Sequence, residues 1–382
     1  MGQDINKARR LYYSPIVEST FGTAATMSRC ALSLLTGDPL APTELSVSDT
    51  EFSAGGAVAT DFETAHIVKG YDFPAQPYPL IATNELILQS FLKALGHDAL
   101  TSLGGSLYSH QGPASGTPSQ ANLPVYPAGF TIEEHMGGEA AVADSDYKFL
   151  GMQLSAVELS WGETDMSVVT WTLVGSGKTD AASITSESGT ITTPMTFVTP
   201  MQIRTWIKAA PAKGQTAFDG HEVSASAWAF PTINSGATDL GAQMMGGKVR
   251  FDGALGTPRQ GQAVGAGIYT PQRKQGKRTA SAELKLRIDD TTRPLLKKRT
   301  GSTWDSQNEY TVGFDIMGQT AGHGVQIVLP LCAPPVVSGG AGSGEAVRTL
   351  TFNARKVTAG TDYGPISIYG VNGENLDYAT AA

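Results

Sequence analysis

Strict alternation of apolar and polar positions marks much of this chain as half-buried β-strand. In TASAELKLRID, Ala282, Leu284, Leu286 and Ile288 fall on one face and Glu283, Lys285 and Arg287 on the other. EYTVGFDIMG alternates through Tyr310, Val312, Phe314 and Ile316, and GVQIVLPL through Val325, Ile327 and Leu329. AVRTLTFNARK does so through Leu350, Phe352 and Ala354, and PISIYGV adds Ile366 and Ile368. Nearer the start, MQLSAVELSWGETDMSVVTWTLVGSG (152–177) holds two alternating runs around a polar break. The first run changes phase between Ala156 and Val157, the mark of a β-bulge. The second aligns Val169, Trp171 and Leu173.

Helical spacing is rare by comparison. TNELILQSFLKALG (83–96) carries one apolar stripe through Ile87, Leu88, Phe91, Leu92 and Leu95. Thr83 or Asn84 can cap its start, and Gly96 stands where a left-handed terminator is needed. DDTTRPLLKKRTG predicts a shorter helix over 291–299, with acids at its start and bases at its end, as the helix dipole favours.

The two halves repeat one order of elements. The first runs strand (62–68), helix (83–95), strand (130–136), then a strand pair at 149–161 and 167–175. The second runs strand (279–288), helix (291–299), strand (308–317), then a pair at 324–331 and 346–356. Residue identity between them is poor, so the match is one of pattern. Two tandem β-domains follow as the expectation, 1–190 and 191–382, with the Ser/Thr-rich 179–193 as the joint. The segments 111–129 and 256–278 read as long loops or arms.

Composition supports many short strands: 16% of residues are charged and 21 are proline. The net charge of −8 is divided unevenly. Residues 1–191 hold 8 Lys/Arg against 21 Asp/Glu (net −13), and 192–382 hold 19 against 14 (net +5). Neighbouring copies could therefore attract one another through unlike halves. The overall acidity disfavours a dedicated nucleic-acid binder, which needs a basic face. Two cysteines far apart, Cys30 and Cys332, make no disulfide framework and read as buried apolar residues. Neither a secretory leader nor a membrane-length apolar run is present, which predicts a soluble protein made in a cytoplasm and no membrane partner.

Candidate chemistry is thin. GSGKT (175–179) invites comparison with a phosphate-binding loop. However, the first glycine of that motif falls at Thr172, and DAASITSESGT is a poor helix to follow it. A hairpin or linker turn suits it better. The six histidines show no metal-ligand spacing, and no nucleophile elbow occurs. Glu133 and Glu134 are neighbours on a strand and point to opposite faces, so they form no catalytic pair. No catalytic residue, metal ligand or cofactor site is assigned, and the chain does not read as an enzyme. The basic residues Arg273, Lys274, Lys277 and Arg278, with Arg259 and Tyr269 upstream, suit contact with an acidic neighbouring subunit as well as a phosphate patch or a solvated loop.

In order, several segments resemble the tail tube proteins of long-tailed bacteriophages in their duplicated form. YKFLGMQLSAVELSWGETDMSVVTWTLVGSG (147–177) is similar to the family's strand pair around a polar turn. GGKVRFDGALGTPRQGQAV through KRTASAELKLRID is similar to its arm and the strand before a helix. VQIVLPLCAPPVVSGGAGSGEAVRTLTFNAR (325–355) is similar to its late strand, long loop and closing strand, and YYSPIVESTFGTA to its opening. The resemblance implies a mainly β fold of two tandem tail-tube β-sandwich domains, each flanked by a short helix. It implies trimers forming pseudo-hexameric rings stacked into a DNA conduit, with an arm around 256–278 reaching a neighbouring ring. It implies as partners the chain itself, a tape-measure protein, and tail terminator and distal tail or baseplate proteins. DNA would be a transient occupant, and the location the virion tail. The rival reading is another β-sandwich virion module, such as a baseplate or adhesion protein. If each of six domains gives four strands, ~24 strands at ~4.8 Å and a tilt of ~40° enclose a barrel about 48 Å across. That bore admits a DNA duplex.

Overall fold

The computed structural model describes residues 10–33, 40, 43–47, 67–112, 127–135, 147–179, 196–221, 228–230, 236–256, 276–296, 308–338, 346–355, 357 and 364–379. Four strands come first: β1 (Arg10–Tyr13), β2 (Arg29–Leu32), β3 (Thr43–Val47) and β4 (Ile67–Ile81). The helix α1 (Asn84–Leu95) follows, then β5 (Thr101–Gly104), β6 (Leu107–Gly112), β7 (Phe130–His135), β8 (Tyr147–Gly162) and β9 (Val168–Thr179). Beyond residue 190 lie β10 (Ile203–Ala209), β11 (Thr238–Asp239), β12 (Met244–Asp252) and β13 (Thr279–Arg287). The short helix α2 (Arg293–Leu296) leads on to β14 (Tyr310–Met317), β15 (Gly324–Cys332), β16 (Val336–Ser338), β17 (Val347–Asn353) and β18 (Ser367–Asn372).

Among the described residues every strand pairing is antiparallel, and the strands make two sheets, one of eleven strands and one of seven. Within the larger sheet a path of eight strands runs β16–β17–β13–β12–β8–β9–β4–β3, with β9 paired to Phe73–Ile81 of β4 and β3 to Ile67–Asp72. The second half supplies its first four and the first half its last four. They join where Ala156–Gly162 of β8 pair with Gly246–Asp252 of β12. The smaller sheet also crosses the middle of the chain, because β18 pairs with β6. Both sheets are thus continuous across residue 190, and the chain is mainly β throughout.

The apolar sides of the two sheets meet over a common core. Trp161 of β8 meets Phe314 of β14 edge to face at 5.5 Å, and Tyr310 meets Phe352 at 6.0 Å. Between the sheets lies α1, buried from Leu86 to Leu95. Leu88 lies over Gly370 of β18, and Leu92 over Gly112 of β6. Trp171 of β9 donates its indole N–H to Ser90 Oγ at 2.7 Å. The predicted caps hold: Thr83 Oγ1 accepts from Leu86 N at 3.1 Å, and Gly96 is left-handed at φ 70°.

Several sequence expectations need correction. The pair expected at 324–331 and 346–356 is divided, with β15 in the smaller sheet and β17 in the larger. The chain steps between the sheets after Cys332, where Ala333 N donates to Asn353 O and Arg355 N to Leu331 O. The strand expected at 62–68 is β4, which begins at Ile67 and continues to Ile81 despite Pro74, Pro77 and Pro79. Pro79 O accepts from Ser33 Oγ on the side away from β9, so the donors missing at Pro77 and Pro79 face that edge. Positions 62–66, and 297–299 of the expected second helix, lie outside the described residues. GSGKT is neither turn nor loop: Gly175–Thr179 end β9 as extended chain paired with Phe149–Met152. The β-bulge of β8 falls between Leu154 and Ala156, one step before the phase change, and a second falls at Gly151, whose φ is 65°.

Candidate assembly surfaces

Alternation along the eight-strand path sends one side chain in two to the core and the other outward. On β13, Ala280, Ala282, Leu284 and Leu286 are buried, while Thr279, Lys285 and Arg287 are exposed. On β12, Val249 and Phe251 go in; Lys248, Arg250 and Asp252 go out. Strand register then sets the outward residues in rows. One runs Thr351, Glu283, Lys248, Ser160, Val168, Ile81, and the next Asn353, Ser281, Arg250, Glu158, Thr170, Pro79. Charges alternate along these rows: Lys248 pairs with Glu283 at 3.0 Å, and Arg250 with Glu158 at 3.8 Å and Asp252 at 3.4 Å. Among the described residues the face is hydroxyl-rich and nearly charge-balanced, with no unbroken basic stripe.

The path ends in unlike edges. At one end is β16, three residues long, with Val336 exposed; at the other is β3, paired to Ile67–Asp72 of β4. Eight antiparallel strands are an even number, so β3 of one copy and β16 of the next keep the alternation of direction when laid side by side.

The two rims across the strands differ as well. At the β8–β9 turn, Ser167 O accepts from Ala82 N and Ala82 O from Val198 N, both at 2.9 Å. This sets the turn beside the start of α1 and the segment leading into Pro200–Gln202. Met201 is 95% exposed and Met166 57%, a rare display for so apolar a side chain. Gln202 Nε2 donates to Met317 O at 3.1 Å, and Gly246 pairs with Gly162, so Met244, Met245 and Met317 belong to the same rim. Glu163 and Asp165 are exposed beside Met166.

The far rim, one strand length away, carries Lys and Arg side chains together with Asp252 at the end of β12. Lys277 is exposed just before β13. Ala354 N donates to Ala280 O, which brings exposed Arg355 alongside. Arg355 pairs with buried Glu309 at 3.0 Å, and Glu309 also accepts from Gly214 N, next to exposed Lys213. Of the six basic-segment residues singled out in the sequence, Arg259, Tyr269, Arg273 and Lys274 lie outside the described residues. Arg278 is not on an arm: it is 2% exposed at the foot of β13, where burial lowers the pKa of its guanidinium.

Polar groups elsewhere tie the chain together. His110 Nδ1 lies 2.9 Å from Asp98 Oδ2, both fully buried, and its Nε2 lies 3.1 Å from Asn372 Oδ1. Tyr378 stacks on His110, donates its N–H to Asp98, and donates its hydroxyl to Glu374, which pairs with Arg29. Lys93 Nζ donates to the carbonyls of Pro15 and Tyr378, and burial drops its pKa to about 7. No local sequence pattern marks these ties, several of which join residues more than 250 positions apart, such as His110 with Asn372 and Tyr378 with Asp98. Among the described residues, no group of three or more His, Cys, Asp or Glu is placed to hold a metal ion. No described helix is long and apolar enough to cross a membrane. No protein-family model matches the chain, and no curated protein matches it.

Proposed function

We propose that this chain is the major subunit of a phage-type tail tube, a virion structural protein that closes into trimeric rings and stacks them into a DNA conduit. One observation carries the reading: the eight-strand antiparallel path, whose described side chains alternate apolar inward and polar outward and whose last strands are β16 and β3. Each half gives four consecutive strands, so three copies joined β3 to β16 make a 24-stranded barrel. At ~4.8 Å between strands and a tilt of ~40°, its backbones stand about 48 Å apart, and side chains narrow the bore to a size that passes duplex DNA. In this reading the rows through Lys248, Arg250 and Glu158 line the lumen. Their alternating charge suits a conduit, because a basic lining would hold phosphates through released counterions.

Closure also accounts for the edges. Edge strands such as β16 and β3, each paired here on one side to β17 and β4, present backbone donors and acceptors that can recruit other strands, and ring formation covers both edges at once. Partners on this reading are further copies of the chain, a tape-measure protein in the bore, and terminator and distal tail proteins at the tube ends. Negative-stain microscopy of the purified chain tests it: hollow rings of three copies are expected, and globular monomers at high concentration contradict it.

A further inference from the structure

We propose that residues 373–379, which follow β18, form a strap that closes over the amine of Lys93, and that uptake of one proton there opens it. The device belongs to the single chain and does not rest on the ring reading. Tyr378 is its anchor, fully buried, with its polar atoms bound by separate parts of the fold. Its N–H donates to Asp98 Oδ2 at 3.1 Å, and its carbonyl accepts from Lys93 Nζ at 3.0 Å. Its hydroxyl accepts from Asn372 Nδ2 and donates to Glu374 Oε2, both at 2.7 Å. The ring stacks on His110 of β6 at 4.5 Å. Side chains also shape the strap: Glu374 N donates to Asn372 Oδ1 and Ala379 N to Asp377 Oδ1, both at 2.9 Å.

Lys93 lies in the last turn of α1 and is 4% exposed. Besides Tyr378, its amine meets the carbonyl of Pro15, just beyond β1, and the ring face of Phe130 of β7 at 5.5 Å. An ammonium taken out of water among such neutral groups gives up its proton more readily. Asp98 and Asp377 oppose this, yet desolvation outweighs them and lowers the Lys93 pKa to about 7. Further charges around Tyr378 are Glu85 of α1 and the Glu374–Arg29 pair, which ties the strap to β2. Lifting the strap returns water to the amine, whose ordinary pKa is 10.5. The open form then binds the extra proton, so opening gains ground as pH falls from 10.5 toward 7 and levels off below. Burial holds the Tyr378 hydroxyl above its ordinary range, while carboxylates and imidazoles ordinarily titrate below pH 7. Lys93 therefore dominates between pH 7.5 and 9.5.

Proteolysis of the full chain reads the opening. The rate of chymotrypsin cleavage after Tyr378 is divided by that for a free peptide of residues 373–382, which removes the protease's own pH dependence. This ratio should fall roughly fiftyfold from pH 7.5 to 9.5, the effect of nearly one proton. In Lys93→Met the pH dependence should vanish, whatever level the ratio takes. A wild-type ratio that is flat, rises with pH or stays at zero overturns the strap. Tyr378→Ala gives a second reading should Lys93→Met not fold. Without the anchor, the NMR titration of the Lys93 ε-carbon should move from a midpoint of about 7 toward 10.5. A midpoint left in place shows that the strap does not gate the proton, and overturns the proposal as well.

Discussion

Trp206 lies flat across Gly313 of the neighbouring strand, so close that a Cβ on Gly313 would stand 2.1 Å from the indole ring. Trp228 covers Gly324 in the same way at 2.3 Å, and stacks beyond it on Tyr369. Both glycines leave room for an indole on the outer side of the seven-stranded sheet, which seals that side. Gly313→Ala must expel Trp206 from its seat, and the cost expected from overpacking is about 1–3 kcal/mol. Urea unfolding should show a lower midpoint with an unchanged slope, and Trp206 emission should shift to the red.

Buried Lys93 makes stability depend on pH. Its folded pKa of about 7 lies below the ordinary value of 10.5, so between these limits the unfolded chain binds more protons than the folded one. Stability should therefore climb from neutral pH toward pH 10. Lys93→Met should flatten that rise, while the loss of two carbonyl contacts frees the segments around Pro15 and Tyr378. Unfolding midpoints measured from pH 6.5 to 10 for both proteins check this.

His221 acts in the same sense at lower pH. It is held between Gln326 and Ser367, and burial lowers its pKa from 6.5 to about 4. Stability gained through this group should rise from pH 4 to 6.5, and His221→Gln should remove that part of the slope. The NMR titration of the His221 ring reports the same midpoint directly.

Both thiols should be silent in the folded chain. Cys30 and Cys332 are buried thiols outside any disulfide, and burial pushes the Cys332 thiol pKa far above its usual range. A thiol reagent should modify neither without denaturant and both with it. Reaction of either cysteine at its unperturbed rate in native buffer contradicts this packing.

Glu18 organises the backbone around the first bulge of β8. Its carboxylate accepts from Gly22 N at 2.7 Å, Gly151 N at 2.8 Å and Thr131 Oγ1 at 3.0 Å. Glu18→Ala leaves these buried donors unmatched, at about 1–3 kcal/mol for each that finds no new partner. Amide exchange at Gly151 should accelerate before exchange in the body of β9 does.

Legibility followed periodicity. β13, β14, β15 and β17 alternate cleanly, and α1 carries both of its caps, so these appear in the sequence nearly residue for residue. β4 does not: Pro74, Pro77 and Pro79 argue against a strand, and Pro77 and Pro79 are accommodated because their missing donors lie on the side away from β9. β6 and β10 were missed because their inward positions include His110 and Thr205, buried polar residues that break the apolar alternation. The division of β15 from β17 is a matter of topology, and no local pattern encodes it. Of the candidate assembly residues, Lys277 is exposed. Arg278, one position on, turns inward because a strand reverses its face at every residue.

The β3-to-β16 closure is tested most directly by electron microscopy of purified protein with image classification. Hollow rings with threefold symmetry are expected, enclosing a bore wide enough for duplex DNA. Particles that remain single, solid and unassembled at high concentration, or rings whose bore is lined by the seven-stranded sheet, contradict it.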